Sequence, residues 1–370
     1  MNPKKWISRA PTRIDLAGGT VDIWPLYLLL HSPLTINLGI DLFAEAELDW
    51  TPEATASQTR GVTLRSEDQN FEQTWTWKEL ETSLQAPSDT VPAPPALELH
   101  FKLLRHFLAT AKTRYSLEPS HLSLKTRARS PAGAGLGGSS TLSVAMIGAI
   151  SAWASGTLPE PEKKGEKLIE ITRDIETTVI RVPAGLQDYY GAMFGGLQSL
   201  RWGTGSHERK HMSPQLLPEL EKRLLLFYSG QSRNSGINNW ALFKALIDRD
   251  EAVRAKFNRI VEATRSLESA LRQSNWNHAF EAIAQEWAAR QTLAPGISTP
   301  EIDRAFAEAA KMGRITGKVC GAGGGGCFFV FLGDEQALAK KEAIAEIFAR
   351  HEMRRLPFHA SAKGLEVVAT

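Results

Sequence analysis

The 370-residue sequence predicts an α+β protein: a mixed sheet with helices in the first half, and a helix-rich second half that closes on two strands. Residues 34 to 50 alternate apolar and polar side chains, the pattern of one or two half-buried strands. Residues 130 to 141, Ser-Pro-Ala-Gly-Ala-Gly-Leu-Gly-Gly-Ser-Ser-Thr, form a glycine-rich loop running into an apolar helical stretch from Leu142 to Ala154. Near the end of the chain, Gly317 to Leu332 reads as two strands joined by a loop with five glycines among the six residues 321 to 326.

Taken in order, residues 5 to 16 read as a strand that leaves its sheet at the Gly18-Gly19 turn, with Asp22 just beyond. In isolation, Arg13 and Asp15 would be solvent-facing strand residues and Asp22 a turn-former. A short strand is expected at Gly61 to Ser66, a proline-rich loop at 86 to 95, a helix from about Ala96 to Thr110 and a strand from Leu122 to Ala128. Residues 162 to 180 place Leu168, Ile171, Ile175 and Val179 at helical spacing, with Glu176 beside that stripe. The Pro183-Ala-Gly185 turn then brings Gln187 and Asp188 to the start of a new element, where an isolated Asp reads as a helix N-cap. A buried strand from Leu224 to Ser229 precedes helical patterns over 239 to 292 and 299 to 312. Trp75, Trp77, Trp202 and Trp240 are expected to pack in or at the edge of the core.

Charged residues make up 23% of the chain and the net charge is only +2, which gives no basis for nucleic-acid or membrane-surface binding. No apolar run is long enough to span a bilayer, and the start, Met-Asn-Pro-Lys-Lys-Trp, is not a signal-peptide core, so a cytoplasmic enzyme is expected. The only cysteines, Cys320 and Cys327, lack neighbouring histidines and are expected to be reduced and packed.

The glycine loop carries the first chemical signal. Gly133, Gly135, Gly137 and Gly138 admit backbone angles closed to other residues and let peptide NH groups approach a ligand. Ser139, Ser140 and Thr141 fall at a helix start, where free NH groups and the helix dipole favour an anion. A Walker loop is excluded, since no Lys follows Gly138. Gly133, Gly135 and Gly138 have dinucleotide-fingerprint spacing, but Thr157 to Pro161 leads into a second helical pattern where that fold needs a strand.

Three glycine-bearing stretches in this order make the chain resemble the GHMP kinases, the superfamily of galactokinase, homoserine, mevalonate and phosphomevalonate kinases. They are Ala10-Pro-Thr-Arg-Ile-Asp-Leu-Ala-Gly-Gly19, Pro131-Ala-Gly-Ala-Gly-Leu-Gly-Gly-Ser-Ser-Thr141 and Gly321-Ala-Gly-Gly-Gly-Gly326. The segment Gly185 to Gly196 resembles the one that carries the catalytic aspartate. Within the superfamily the chain is most similar to sugar kinases of the D-glycero-D-manno-heptose 7-phosphate type, with the fucokinase domain nearly as similar. It departs from the heptose type at Thr20-Val21, where a third Gly and a Thr are usual.

The resemblance implies an N-terminal mixed α/β domain (ribosomal protein S5 domain 2-like) over residues 1–200 and a C-terminal ferredoxin-like sandwich over 201–370. It implies ATP on Pro131, Gly133, Ala134, Gly135, Leu136, Gly137, Gly138, Ser139, Ser140 and Thr141, with Mg2+ held by Ser139 and Glu176. Asp188 matches the base or the group that orients the acceptor hydroxyl, and Arg13 the cation beside Asp188 and the γ-phosphate. Gly18, Gly19, Asp22, Gln187, Gly323 and Gly324 would face the acceptor, a sugar or sugar phosphate; Arg233, after Ser229-Gly230, is either a ligand for an acceptor phosphate or a surface salt-bridge partner. The implied partner is a small molecule and the protein a monomer or homodimer. The expected activity is phosphorylation of a heptose 7-phosphate-type substrate; alternatives are a fucokinase- or galactokinase-like 1-kinase, then a mevalonate-type kinase. A sensor or scaffold without activity would have lost Asp188, Glu176 or Ser139, and all three are present.

Overall fold

A computed structural model describes residues 4–54, 59–83, 93–231, 237–321 and 323–370. The first half runs β1 (Lys5–Ala17), β2 (Leu34–Thr51), β3 (Gly61–Ser66), β4 (Phe71–Trp75), α1 (Trp77–Ser83), α2 (Glu98–Lys112), β5 (His121–Ala128), α3 (Gly138–Ser155), α4 (Pro161–Ile180), α5 (Gln187–Phe194) and β6 (Leu197–Arg201). The second half runs β7 (Glu208–His211), α6 (Leu217–Arg223), β8 (Leu224–Tyr228), α7 (Ile237–Ile247), α8 (Glu251–Arg272), α9 (Trp276–Gln291), α10 (Pro300–Ala309), β9 (Ile315–Val319), β10 (Cys327–Leu332), α11 (Glu335–Ala339), α12 (Lys341–Arg350), β11 (Arg354–Arg355) and β12 (Glu366–Ala369).

Eight strands form the first sheet, in the order β12-β1-β2-β5-β3-β4, with β6 and β7 extending from β2. Its pairings are antiparallel except for the parallel β3–β5 pair, so the sheet is mixed as the sequence predicts. The stretch from residue 34 to 51 is one 18-residue strand, longer than a common strand because it serves different neighbours along its length. Its first part pairs with β6 and its second with β5, while β1 runs along the other side. The second sheet, β11-β8-β10-β9, has four antiparallel strands. The last strand, β12, returns to pair with β1, so residues beyond 200 contribute to both sheets.

Helix α3 is the axis of the first layer. Its 18 residues carry no charge, and all from Ser140 to Ala154 except Leu142 are buried. A helix apolar on every side requires partners on every side, and α3 packs on β1, β2, α2, α4 and α5. Burying it fixes the glycine loop at its N-terminus. Tyr115 stacks on Trp153 near its far end, and Trp50 lies tilted against both rings. Among the described residues no helix is long and apolar enough to cross a membrane.

Trp75, Trp77 and Trp202 are buried as expected, but Trp240 is 55% exposed, because α7 lies at the rim of a cleft. The expected loop at 86 to 95 falls mostly outside the described residues, and Arg233 lies wholly outside them. Both cysteines are free and buried, and burial pushes the Cys320 thiol up to about 12.

Candidate functional site

A cleft of about 720 Å³ opens where the glycine loop, the turn after β1, the start of α5 and the glycine hairpin between β9 and β10 meet. The loop before α3 reaches its shape through left-handed angles at Gly133, Gly135 and Gly137 (φ 66°, 77° and 73°). Two of these glycines are also forced by proximity. A Cβ on Gly135 would sit 3.0 Å from the Gly321 Cα, and one on Gly137 would sit 2.8 Å from the Asp188 Cγ. The loop is therefore pressed between the hairpin and Asp188, with no room for a side chain.

Arg13 joins these parts. It lies at the buried end of β1, and its guanidinium donates to Asp188 Oδ1 from Nε at 2.8 Å and from Nη2 at 2.5 Å. Its Nη1 donates to the carbonyls of Gly135 at 2.7 Å and Cys320 at 3.2 Å. Burial opposes the Arg13 charge, but Asp188, then Asp15, outweigh it and raise the pKa above its ordinary value. One side chain thus ties the first strand, the glycine loop, the hairpin and Asp188 together. Asp188 is the second residue of α5, inside its first turn; the N-cap position belongs to Leu186. Its carboxylate is spent on Arg13 and faces the cleft.

Ser139 is exposed on the cleft, and Glu176 of α4 reaches it from beneath. The Glu176 carboxylate is 2% exposed and accepts hydrogen bonds from the hydroxyls of Tyr189 (2.8 Å), Ser143 (3.0 Å) and Ser140 (3.4 Å). Its pKa is raised, chiefly by burial and further by Asp188, against the lowering effect of the Ser139, Tyr189 and Ser143 hydroxyls. No Lys or Arg pairs with it among the described residues.

Asp22 is also buried in the cleft wall, with Oδ2 accepting from the Gln187 amide at 3.0 Å. Burial, followed by the charges of Asp188 and Asp15 and only partly offset by the Gln187 NH, pushes its pKa up to about 7. A raised carboxyl pKa makes the folded state bind a proton that the unfolded chain has lost. The Asp22 contribution to stability is thus complete below the unfolded value near 3.8 and fades as pH rises through about 7. Asp22→Asn is expected to flatten the stability profile between those values, as measured by urea unfolding at pH 4.5 and 7.5; an unchanged difference between the two pH values would contradict it.

Several residues expected at the site are turned away from it. Leu136 packs in an apolar cluster beneath the loop, and the Thr141 hydroxyl donates back to the Gly137 carbonyl as an intrahelical bond. The Gly18 amide donates to Glu286 and the Gly324 amide to the Ile297 carbonyl, so neither NH is free for a ligand. Pro131, Gly133, Ala134, Gly135, Gly137, Gly138, Ser139, Ser140, Gly19, Asp22, Gln187 and Gly323 all line the cleft, together with Arg13, Asp188 and Glu176.

A buried charge network behind the Gly18-Gly19 turn escapes sequence reasoning. Lys318 on β9 donates from Nζ to Asp15 Oδ2 at 2.8 Å and lies 3.4 Å from Glu286 Oε1. Arg290 donates to the same Glu286 oxygen from Nε at 3.0 Å and Nη2 at 2.5 Å, and to the Gly19 carbonyl at 2.9 Å. Burial alone would raise the Glu286 pKa, but Arg290 and Lys318 override it and hold the carboxyl below its ordinary range. Glu286 and Arg290 share a helix face at i, i+4, the one part of the network with a local signature. Lys318 and Asp15 are 303 residues apart, and nothing local to either announces the pair.

Comparison with known proteins shows what the chain as a whole is similar to. The family model of the GHMP kinases N terminal domain matches residues 99–196, and that of the GHMP kinases C terminal domain matches residues 267–350. A D-glycero-alpha-D-manno-heptose 7-phosphate kinase of Campylobacter jejuni is 25% identical over 92% of this chain and 95% of its own. A bifunctional fucokinase/GDP-fucose pyrophosphorylase of Arabidopsis thaliana is 25% identical over 93% of this chain, which spans only 31% of the length of that relative. The fold matches the crystal structure of a D-glycero-D-manno-heptose 1-phosphate kinase from Bacteroides thetaiotaomicron with a TM-score of 0.71, at 19% identity and 98% coverage of both chains.

Proposed function

We propose, for a chain that belongs to the GHMP kinase family, that it is an ATP-dependent sugar kinase whose acceptor is a heptose 7-phosphate or a closely similar sugar phosphate. The observation that carries this reading is the Arg13 bridge, which brings Asp188, the glycine loop and the glycine hairpin to one point in one cleft. Phosphoryl transfer asks mainly for positioning and for neutralisation of charge on the transferred group. The loop amides and the N-terminus of α3 would hold the phosphates. Asp188 would accept or orient the acceptor hydroxyl proton, held in one rotamer by Arg13. Asp22 and Gln187 would bind sugar hydroxyls, with Asp22 able to donate as well as accept because its pKa lies near 7.

The residues present suit a magnesium ion. Glu176 is a buried carboxylate on the cleft with only neutral hydroxyl partners, a situation that a divalent cation relieves. Ser139 offers a hydroxyl beside it, and magnesium characteristically takes few protein oxygens and completes its shell with phosphate and water. Among the described residues no three His, Cys, Asp or Glu side chains converge into a protein-only metal cage. When bound, the ion would neutralise phosphate charge. Glu176→Gln is expected to raise the magnesium concentration for half-maximal activity by about 10-fold or more, the range for losing a charged ligand. An unchanged magnesium titration would contradict this role.

The fucokinase-type alternative rests on a comparable likeness over the same region. Thermal shift distinguishes nucleotide classes: Mg-ATP at well above its dissociation constant should raise Tm, and NAD should not. Stabilisation by NAD and not by Mg-ATP would overturn the kinase reading.

A further inference from the structure

Among the described residues, which do not include Arg233, the cleft has no spare positive charge for an acceptor that already carries a phosphate. At its acceptor end, Arg13 is engaged by Asp188, Lys318 by Asp15 and Glu286, and Arg290 by Glu286. A phosphate there would face Asp15, Asp22 and Asp188, and the repulsion would oppose binding.

A second cavity of about 580 Å³ lies against the first and shares Val182, Pro183, Ala184 and Trp240 with it. It is reached from the acceptor end in two residues. Asp22 is followed by Ile23, which bridges to Gly185 in the cleft wall, and then by Trp24, which lines the second cavity. Asp22 and Trp24 lie two residues apart in one turn segment, so the acceptor end and the second cavity adjoin.

The lining of this cavity is cationic. Arg173 and Arg181 both contribute, against the single carboxylate of Asp174. Asp174 Oδ1 is taken by Arg173 Nε and Nη2 at 2.9 and 2.6 Å, which leaves Arg173 Nη1 without a partner among the described residues. The Arg181 guanidinium has no ion pair or hydrogen bond among the described residues. Arg181 ends α4 in the left-handed region (φ 57°), where its amide still closes the helix on Thr177. Trp24 and Trp240, 59% and 55% exposed, stand at the same cavity and offer apolar faces to a sugar carbon skeleton.

We propose that this second cavity is an anion subsite that receives the distal phosphate of the sugar acceptor, with Arg181 and Arg173 as its ligands. The inference rests on the sugar-kinase reading and names the part of the substrate that reading leaves unplaced. Arginine suits the task because its planar fork matches phosphate oxygens bidentately.

The test measures kcat/KM for D-glycero-D-manno-heptose 7-phosphate and for the unphosphorylated heptose, in the wild type and in the Arg173→Gln/Arg181→Gln double variant. The wild type should prefer the phosphorylated sugar, and the variant should lose at least 10-fold of that preference, while Arg173→Lys/Arg181→Lys should keep part of it. Equal loss on both acceptors, or an unchanged preference, would overturn the proposal while leaving the kinase reading intact. If no sugar elicits ADP release, the kinase reading itself fails. Calorimetry with heptose 7-phosphate and with inorganic phosphate then decides the subsite alone: binding abolished by the double variant supports it. Binding that survives the double variant, or is absent from the wild type, overturns it.

Discussion

Asp188→Asn should lower turnover by about 100-fold or more while leaving the KM for ATP within a few-fold of wild type, the range for losing a positioned proton acceptor. The substitution keeps the shape of the side chain and its seat against Gly137. It removes the charge that Arg13 grips through two nitrogens. Arg13 retains the carbonyls of Gly135 and Cys320, so the glycine loop and hairpin remain anchored and the variant should fold. Steady-state kinetics with saturating ATP separate the possibilities. Near-normal kcat would remove Asp188 from the chemistry, and a large rise in the KM for ATP with kcat preserved would recast it as part of the nucleotide site.

The second large effect is on stability. Lys318→Met should cost roughly 3–5 kcal/mol, the range for removing one member of a buried ion cluster and leaving its partner uncompensated. Lys318 and Glu286 are wholly buried and Asp15 nearly so. Without the ammonium, Asp15 loses its direct ion-pair partner and is left with Arg13 and Arg290, the one already gripping Asp188 and the other Glu286, while Asp22 adds a further nearby negative charge. Urea unfolding at pH 7.5 reads this directly. The double variant Asp15→Asn/Lys318→Met should recover part of the loss, because it removes the stranded charge with its partner. A loss under about 1 kcal/mol in the single variant would mean that water or a rearranged side chain reaches Asp15.

Much of this molecule was legible in the sequence, and the legible part was local. Glycines at 133, 135 and 137 announce a loop because their backbone angles are closed to other residues, and those angles are what the structure shows. The apolar run after them announces a buried helix, and α3 is buried on all sides. Asp188 taken alone looked like a helix cap, and only the family likeness pointed toward its place beside Arg13. What could not be read locally depends on residues far apart in the chain. The return of β12 to β1 joins the two ends of the chain through four weakly patterned residues. β6 and β7 are short strands of mixed polarity that the alternation rule does not single out. Asp15 reads as an ordinary strand charge and Lys318 draws no notice in the sequence, yet folding removes the water around both. Trp240 has the composition of a core residue and the position of a rim residue, a distinction that only the packing of α7 decides.

The most direct test of the central claim follows the phosphoryl group itself. Incubation with γ-32P-labelled ATP, magnesium and a panel of heptose 7-phosphate, fucose, galactose and mevalonate should transfer the label to a sugar hydroxyl, fastest with the heptose 7-phosphate and about 100-fold slower in Asp188→Asn. Label that stays on ATP or appears only as inorganic phosphate with every acceptor would contradict the account, as would transfer that Asp188→Asn leaves undiminished.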